Sequence, residues 1–143
     1  GGTMQYTAKI VKSGDGSQYE VEFPDVPGCF TYGDSLQDAI VYAKEALELM
    51  LEGVLDDEMV LPECTVAPDE SNGLYSVEVG SRLAVAIEIH EAKKGLKSAS
   101  VAKRMDMSPQ SFARILRPSS NVSVSMLDRY AKAVGKRLVV KFV

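Results

Sequence analysis

Alternating apolar and polar residues predict a β-hairpin near the start of the chain. Residues 5–12 and 18–23 each repeat with a period of two, and a cluster of Ser, Gly and Asp at residues 13–17 separates them as a turn. Residues 30–33 are short and aromatic and predict a third strand, whereas residues 74–79 alternate again and predict a fourth.

A long helix is predicted between the third and fourth strands, because the apolar residues there recur every three or four positions. Ser35, followed by Asp38, has the pattern of a capped helix start. The apolar residues with this spacing are Leu36, Ile40, Ala43, Leu47, Met50 and Val54. The first half of the chain is therefore predicted to be a β-β-β-α-β module, which is an α+β arrangement.

The second half of the chain predicts mainly helices. Residues 82–94 have helical spacing, and a last helix is predicted to start at Ser123 or Ser125 and to end before Gly135. Residues 136–143 contain alternating apolar residues and predict a C-terminal strand without a partner strand in its own half.

Residues 98–117 predict two short helices joined by a tight turn. Asp106 lies at the bend, where Asp tolerates a left-handed backbone, and Ser108 with Pro109 has the pattern of a helix start. The apolar stripe of the second helix consists of Phe112, Ile115 and Leu116. Its polar outer edge is typical of a helix-turn-helix, whose second helix enters a DNA major groove. A short αα-turn that never contacts DNA is the alternative.

The charges divide the chain into two parts. Residues 1–80 contain 3 basic and 16 acidic residues, a formal charge of −13, whereas residues 81–143 contain 13 basic and 4 acidic residues, a charge of +9. We therefore predict an acidic domain at residues 4–80 and a basic domain at residues 81–143. A basic domain fits a polyanion such as DNA, and an acidic domain attracts a basic partner. Attraction between the two halves is the alternative explanation.

The side chains that most metal or nucleophilic enzymes need are scarce. His90 is the single histidine, Cys29 and Cys64 lack the spacing of a metal site, and neither a P-loop nor a GxGxxG motif occurs. We therefore predict that the protein is not an enzyme and uses no metal or other cofactor.

Two alternative functions remain open. A two-metal nuclease would draw on Asp25, Asp34 and Asp38, although the first strand carries no carboxylate and helix capping accounts for the last two. A ligand-responsive repressor would use the first half of the chain as its sensor, and this possibility requires a pocket.

The sequence also bears on the compartment. No apolar run reaches the length of a membrane span, and no signal peptide is recognised, so we expect a cytoplasmic protein with reduced cysteines and no membrane partner. Gly1, Gly2 and Thr3, which precede Met4, have the composition of a cloning remnant.

The stretch FPDVPGCFTYGDSLQDA at residues 23–39, with its neighbours at residues 19–22 and 43–47, resembles the N-terminal domain of HicB antitoxins. Residues 84–142 resemble Xre-type DNA-binding domains, which are similar to that of the lambda repressor. The resemblance implies a partial ribonuclease-H-like fold without activity, which binds HicA, a small basic ribonuclease toxin, and covers its active surface. It also implies a second domain that binds the operator of its own operon and regulates transcription, usually as a homodimer or dimer of dimers.

The sequence departs from the Xre pattern at three positions. Asp106 stands in place of the usual turn glycine, and Leu116 stands where many such domains have Glu. Lys97 occupies the usual position of a capping Ser or Thr, so we expect Ser98 to cap the helix instead. A ribbon-helix-helix, which other HicB antitoxins carry, is not favoured by the helical pattern.

These considerations predict three sets of contact residues. Base edges would be contacted by Gln110, Ser111 and Arg114, and phosphates or the groove edge by Lys97, Lys103, Arg104 and Arg117. The toxin would be contacted by Glu20, Glu22, Asp25, Val26, Pro27, Asp38, Glu45 and Glu48. A homodimer would form through Leu138, Val140 and Phe142 in the C-terminal strand, unless that strand folds back on the first sheet.

Overall fold

The computed structural model describes residues 4–143, and the three residues predicted to be a cloning remnant lie outside this part of the chain. The chain forms two compact units, one that ends at Ala84 and one that spans Val85–Val143. The boundary therefore falls four residues beyond the charge boundary at residue 80.

The first unit is a four-stranded antiparallel sheet with one long helix. Its elements are β1 (Gln5–Lys12), β2 (Tyr19–Glu22), β3 (Phe30–Gly33), α1 (Leu36–Asp56), a 3₁₀ turn (Glu70–Asn72) and β4 (Leu74–Glu78). The strand order is β3-β2-β1-β4. The predicted β-β-β-α-β order and the α+β class are confirmed.

One face of the sheet is buried under α1. Ile10 lies opposite Val21, and Tyr6 lies opposite Val77, so these four buried side chains share a face. The other face presents Val11, Glu20, Glu22, Phe30 and Tyr32, which are all exposed.

The buried stripe of α1 differs from the predicted one. The helix buries Ala39, Ala43, Leu47, Leu51 and Leu55, whereas Ile40 from the predicted stripe is 37% exposed. The reason is close packing, since a Cβ added to Gly33 would lie 2.4 Å from the backbone nitrogen of Ala39. Small residues of the helix must therefore face β3. The helix is oriented with Ala39 and Ala43 toward the sheet, which leaves Ile40 partly exposed to solvent.

The second unit is helical. Helix α2 (Ser81–Ala92) begins in the first unit and continues into the second, followed by α3 (Ser98–Arg104), α4 (Pro109–Leu116) and α5 (Val124–Ala133). Its core includes Phe112 and Tyr130, whose rings stack with centroids 6.2 Å apart. The buried Tyr130 hydroxyl donates a hydrogen bond to the Ile89 carbonyl at 2.6 Å, which joins α5 to α2.

The predicted helix boundaries are partly confirmed. Ser35, Ser108 and Ser123 each accept a hydrogen bond from a backbone N–H in the first turn of α1, α4 and α5. Ser98 is not the cap of α3, because the backbone changes from extended to helical at Lys97, which makes no side-chain cap hydrogen bond.

The predicted C-terminal strand is absent from the described chain. Residues 136–143 are assigned to no helix or strand, and Val139, Val140 and Phe142 are exposed. A strand requires a neighbouring strand to accept and donate its backbone hydrogen bonds, and an alternating pattern alone does not provide one. None of the helices in residues 4–143 is long and apolar enough to cross a membrane.

Candidate functional site

Helices α3 and α4 are joined by the sharp turn that the sequence predicts. Asp106 has a φ of 54°, in the left-handed region, so Asp fills a position where Gly is more usual. The Met107 N–H reaches back to the Ala102 carbonyl at 2.9 Å, and the Ser108 hydroxyl accepts from the Ser111 N–H at 3.1 Å. The turn therefore ends α3 and starts α4 within a few residues.

One side of helix α4 packs into the core of the second unit, and the opposite side is exposed to solvent. Phe112 and Ile115 are buried, whereas Gln110, Arg114 and Arg117 are exposed. Because the three exposed residues are separated by four and three positions, they share one side of the helix, with Arg117 at its C-terminal cap. The structure thus brings together Gln110, Arg114 and Arg117 on a continuous polar surface.

Ser111 lies beside this surface, and its hydroxyl accepts a hydrogen bond from the Ser108 hydroxyl at 3.0 Å. Lys97 and Lys103 are exposed at the two ends of α3. Both lysines therefore have the exposure that a phosphate contact requires.

Arg104 has a structural partner that the sequence did not reveal. Its Nη1 donates a hydrogen bond to the Ala133 carbonyl at 2.9 Å, at the C-terminal end of α5. A guanidinium has five N–H donors, so this bond fixes the side chain without using all of its donors.

Arg129 was not predicted, yet it lies at the same turn. Its Nη2 donates to the Met105 carbonyl at 2.7 Å, immediately before Asp106. This bond links α5 to the end of α3 and places an additional positive charge beside the turn. No local pattern could have identified it, because Met105 and Arg129 are 24 positions apart.

In the acidic unit, Glu20 and Glu22 lie on the exposed face of the sheet. Glu22 is 4.0 Å from the Lys9 ammonium, and both side chains are about half exposed, so this ion pair is weak. Exposed Phe30 and Tyr32 lie on the neighbouring strand of the same face.

The loop between β2 and β3 is anchored rather than free. Val26 is only 3% exposed, so its side chain packs in the core, whereas Pro27 is exposed. Asp25 accepts hydrogen bonds from the Thr65 hydroxyl and from the amides of Thr65 and Val66. The Thr65 hydroxyl is the main cause that lowers the pKa of the Asp25 carboxyl below its ordinary value. Both predicted contacts, Asp25 and Val26, thus have structural roles.

Helix α1 carries the other predicted contacts. Asp38 and Glu45 are exposed. Glu48 instead accepts a hydrogen bond from the Gly80 amide at 2.8 Å and is partly buried, so it fixes the chain after β4. The structure therefore separates the predicted toxin contacts, because Glu20 and Glu22 lie on the open sheet face and α1 covers the opposite face.

The three residues predicted to form the dimer are all at least partly accessible to solvent. Leu138 is half-buried, and Val140 and Phe142 are exposed.

Within residues 4–143, no three His, Cys, Asp or Glu side chains converge in a way that could hold a metal ion. The three aspartates that a nuclease would need are therefore not assembled into such a group.

Comparison with known proteins identifies a matching family. Residues 6–89, more than half of the chain, match the family described as HicB-like antitoxin of bacterial toxin-antitoxin systems. Antitoxin HicB 2 of Photorhabdus laumondii is 25% identical over 137 residues, which cover 94% of each chain.

Two further matches cover smaller parts. An uncharacterised 14.9 kDa protein of Haemophilus phage HP1 is 48% identical over 60 residues, which cover 42% of this chain and 44% of the phage protein. This chain therefore spans less than half of that relative. A chain in the solved HicA3 and HicB3 toxin-antitoxin complex is 26% identical, with a TM-score of 0.41, over 54% of this chain and 99% of that one.

Proposed function

Since the chain belongs to the HicB-like antitoxin family of bacterial toxin-antitoxin systems, we propose that it neutralises a HicA-type toxin with its acidic unit and binds operator DNA with its helical unit. The protein would act by binding and not by catalysis. Both partners are macromolecules of the cytoplasm, where we expect it to act.

The toxin-binding role is supported by the family match together with the charge of the matched region. Residues 1–80 have a formal charge of −13, and residues 6–89 are the part that matches the family. A HicA-type toxin is a small basic ribonuclease, so the two surfaces would be complementary. Opposite charges would accelerate the encounter and disfavour acidic competitors.

Co-expression tests this role directly. The protein would carry an affinity tag and be produced with the protein encoded by the small open reading frame adjacent to its gene. We expect a stable complex that forms with the full chain and is lost when residues 4–80 are removed. A full chain that fails to bind this neighbour would contradict the toxin-binding role.

The DNA-binding role is supported by the exposed side of α4. Gln110 and Arg114 can make paired hydrogen bonds to adenine and guanine, and Ser111 lies beside them. Lys97, Lys103 and Arg117, with the free donors of Arg104, would contact phosphates. The formal charge of +9 on residues 81–143 favours the same partner. Binding to its own operator would make the protein a repressor of its operon.

Operator binding by this kind of helix usually requires two copies. We infer a homodimer, or a dimer of dimers, in which residues 138–143 of two chains pair as strands through Leu138, Val140 and Phe142. The exposed apolar side chains of this segment support the inference, because an unpaired strand-like edge tends to associate with another chain. Two α4 helices would then face two half-sites of the operator.

A further inference from the structure

Helix α1 carries a second apolar band that the core does not use. Tyr42, Ala46, Leu49 and Gly53 are separated by four, three and four positions, so they share one side of the helix, beside the buried stripe. Leu49 is 73% exposed. An exposed leucine is ordinary by itself, so the surroundings of this band decide its significance.

The band borders a concave site. A groove of about 410 Å³ lies between the start of β3 and the C-terminal half of α1, and its lining includes Phe30, Leu49, Met50 and Met59. We refer to it as the β3–α1 groove. Met59 is 66% exposed, so with Leu49 two large, mostly exposed apolar side chains border the groove without filling it. Methionines adapt their shape to a bound side chain more readily than branched residues do.

The edge of the β3–α1 groove is acidic. Asp57 lines the groove, between Asp56 and Glu58. Along the solvent side of α1, next to Leu49, runs an acidic band that consists of Asp38, Glu45, Glu52 and Asp56. Residues 45–81 contain 10 acidic residues and no Lys or Arg. The ion pairs Lys9–Glu22, Lys94–Glu91 and Lys132–Asp128 lie outside this band.

We propose that the β3–α1 groove is the docking site of the toxin, and that it receives an apolar side chain flanked by lysines or arginines. This inference rests on the proposed function and specifies where the partner binds. A concave apolar site surrounded by charges of one sign selects such a partner, since the buried anchor contributes most of the affinity and the charges contribute orientation. Docking there would use Asp38 and Glu45 but leave Glu20 and Glu22 free.

The open face of the sheet is the competing surface, because it carries Phe30, Tyr32 and two glutamates. Its charges are mixed, since Lys9 pairs with Glu22. The concavity and the uniformly acidic edge therefore favour the β3–α1 groove as the site for a basic partner.

Binding of the full-length protein to the product of the adjacent small open reading frame, measured by calorimetry, tests the proposal. Leu49→Arg and Met59→Arg each add a positive charge at the groove. Because both side chains are mostly exposed, folding should be retained, as circular dichroism would verify. We expect each variant to weaken binding at least tenfold, and Glu45→Lys with Glu52→Lys to slow association.

Two exposed valines provide matched controls. Val41→Arg adds the same charge to α1 beyond the acidic band, and Val11→Arg adds it to the open sheet face. Both should bind the toxin within about threefold of the wild type. If Leu49→Arg and Met59→Arg bind the toxin as tightly as the wild type, the β3–α1 groove is not the docking site. The same conclusion follows if Val11→Arg alone loses binding. Absence of binding by the wild type would instead overturn the proposed function itself.

Discussion

Asp25 and Thr65 are joined by two hydrogen bonds across 40 positions of the chain. Asp25 Oδ1 accepts from the Thr65 hydroxyl at 2.6 Å, and Oδ2 accepts from the Thr65 amide at 2.7 Å. The Val66 amide adds a third bond, also to Oδ2, at 3.0 Å. These bonds attach the loop between β2 and β3 to the segment that follows α1, so the loop keeps one conformation while Pro27 faces solvent.

Asp25→Asn should destabilise the first unit in a manner that depends on pH. Hydrogen bonds lower the pKa of the folded Asp25 carboxyl below its ordinary value of 3.8, so its contribution is present above 3.8 and is lost as the pH falls through the folded pKa. At pH 7 we expect a loss of about 1 kcal/mol, because the partly solvated amide keeps only some of the bonds. Urea unfolding from neutral pH to roughly pH 3 should show the difference shrinking. Glu63→Gln, at an exposed site in the same segment, should show little change, and parallel curves for Asp25→Asn would contradict the explanation.

Asp106 allows a test of the turn between α3 and α4. A left-handed residue with a Cβ is strained by about 1–2 kcal/mol, although Asp tolerates it better than most. Asp106→Gly should therefore be at least as stable as the wild type, whereas Asp106→Ala should be less stable than the glycine variant by about 1 kcal/mol. Ala113→Gly places a glycine at an exposed position within α4. It should lower the free energy of unfolding by about 1 kcal/mol, whereas Asp106→Gly should not lower it. Thermal unfolding measures all three variants, and an alanine variant that equals the glycine variant would mean that the backbone is not left-handed.

Arg114→Ala should change the specificity of DNA binding. If Arg114 contacts a base edge, its removal should reduce the preference for operator over random DNA by about 1–3 kcal/mol. Lys97→Ala, at a predicted phosphate contact, should weaken binding to both sequences equally and reduce the salt dependence. Lys132→Ala is the control, because Lys132 pairs with Asp128 on α5 at 3.0 Å. This variant should leave DNA binding almost unchanged. Fluorescence anisotropy with both DNA probes measures these effects, and an equal loss on both probes for Arg114→Ala would exclude base reading.

Tyr130→Phe should destabilise the second unit by about 1–3 kcal/mol. The variant keeps the ring that stacks on Phe112 but removes the hydroxyl, so the buried Ile89 carbonyl loses a hydrogen-bond donor. Burial also raises the pKa of the Tyr130 hydroxyl, so it remains a donor well above neutral pH. Chemical denaturation measures the change. A variant as stable as the wild type would indicate that this hydrogen bond contributes no net free energy.

Changes in residues 138–143 should control the oligomeric state. Asp substitutions at Leu138, Val140 and Phe142 place charges on one side of a paired strand, because alternate residues share a side. We expect the triple variant to be monomeric in light scattering and to bind operator DNA more weakly. Val139→Asp, on the opposite side of the strand, should remain dimeric. A wild type that is already monomeric at micromolar concentration would refute pairing through this segment.

The sequence by itself determined the features that depend on near neighbours and on counting. Ser35, Ser108 and Ser123 cap helices through bonds that span three residues, and Asp106 adopts the left-handed turn that its position predicts. Alternation predicted three strands of the first unit and a short aromatic stretch predicted the other, β3, and the number of charged residues in each half required no structure.

Only the tertiary structure decided which of several equivalent residues became structural. In the sequence, nothing distinguishes Asp25 and Glu48 from carboxylates that stay exposed. Their hydrogen-bond partners lie 40 and 32 positions away. Arg104 and Arg129 likewise bind carbonyls 29 and 24 positions away. The apolar residues of α1 fit two adjacent faces, and the close approach at Gly33 selected the face with small residues. Local patterns specify a conformation, but the contacts between distant residues follow from the path of the whole chain, and residues 136–143 find no partner strand on that path.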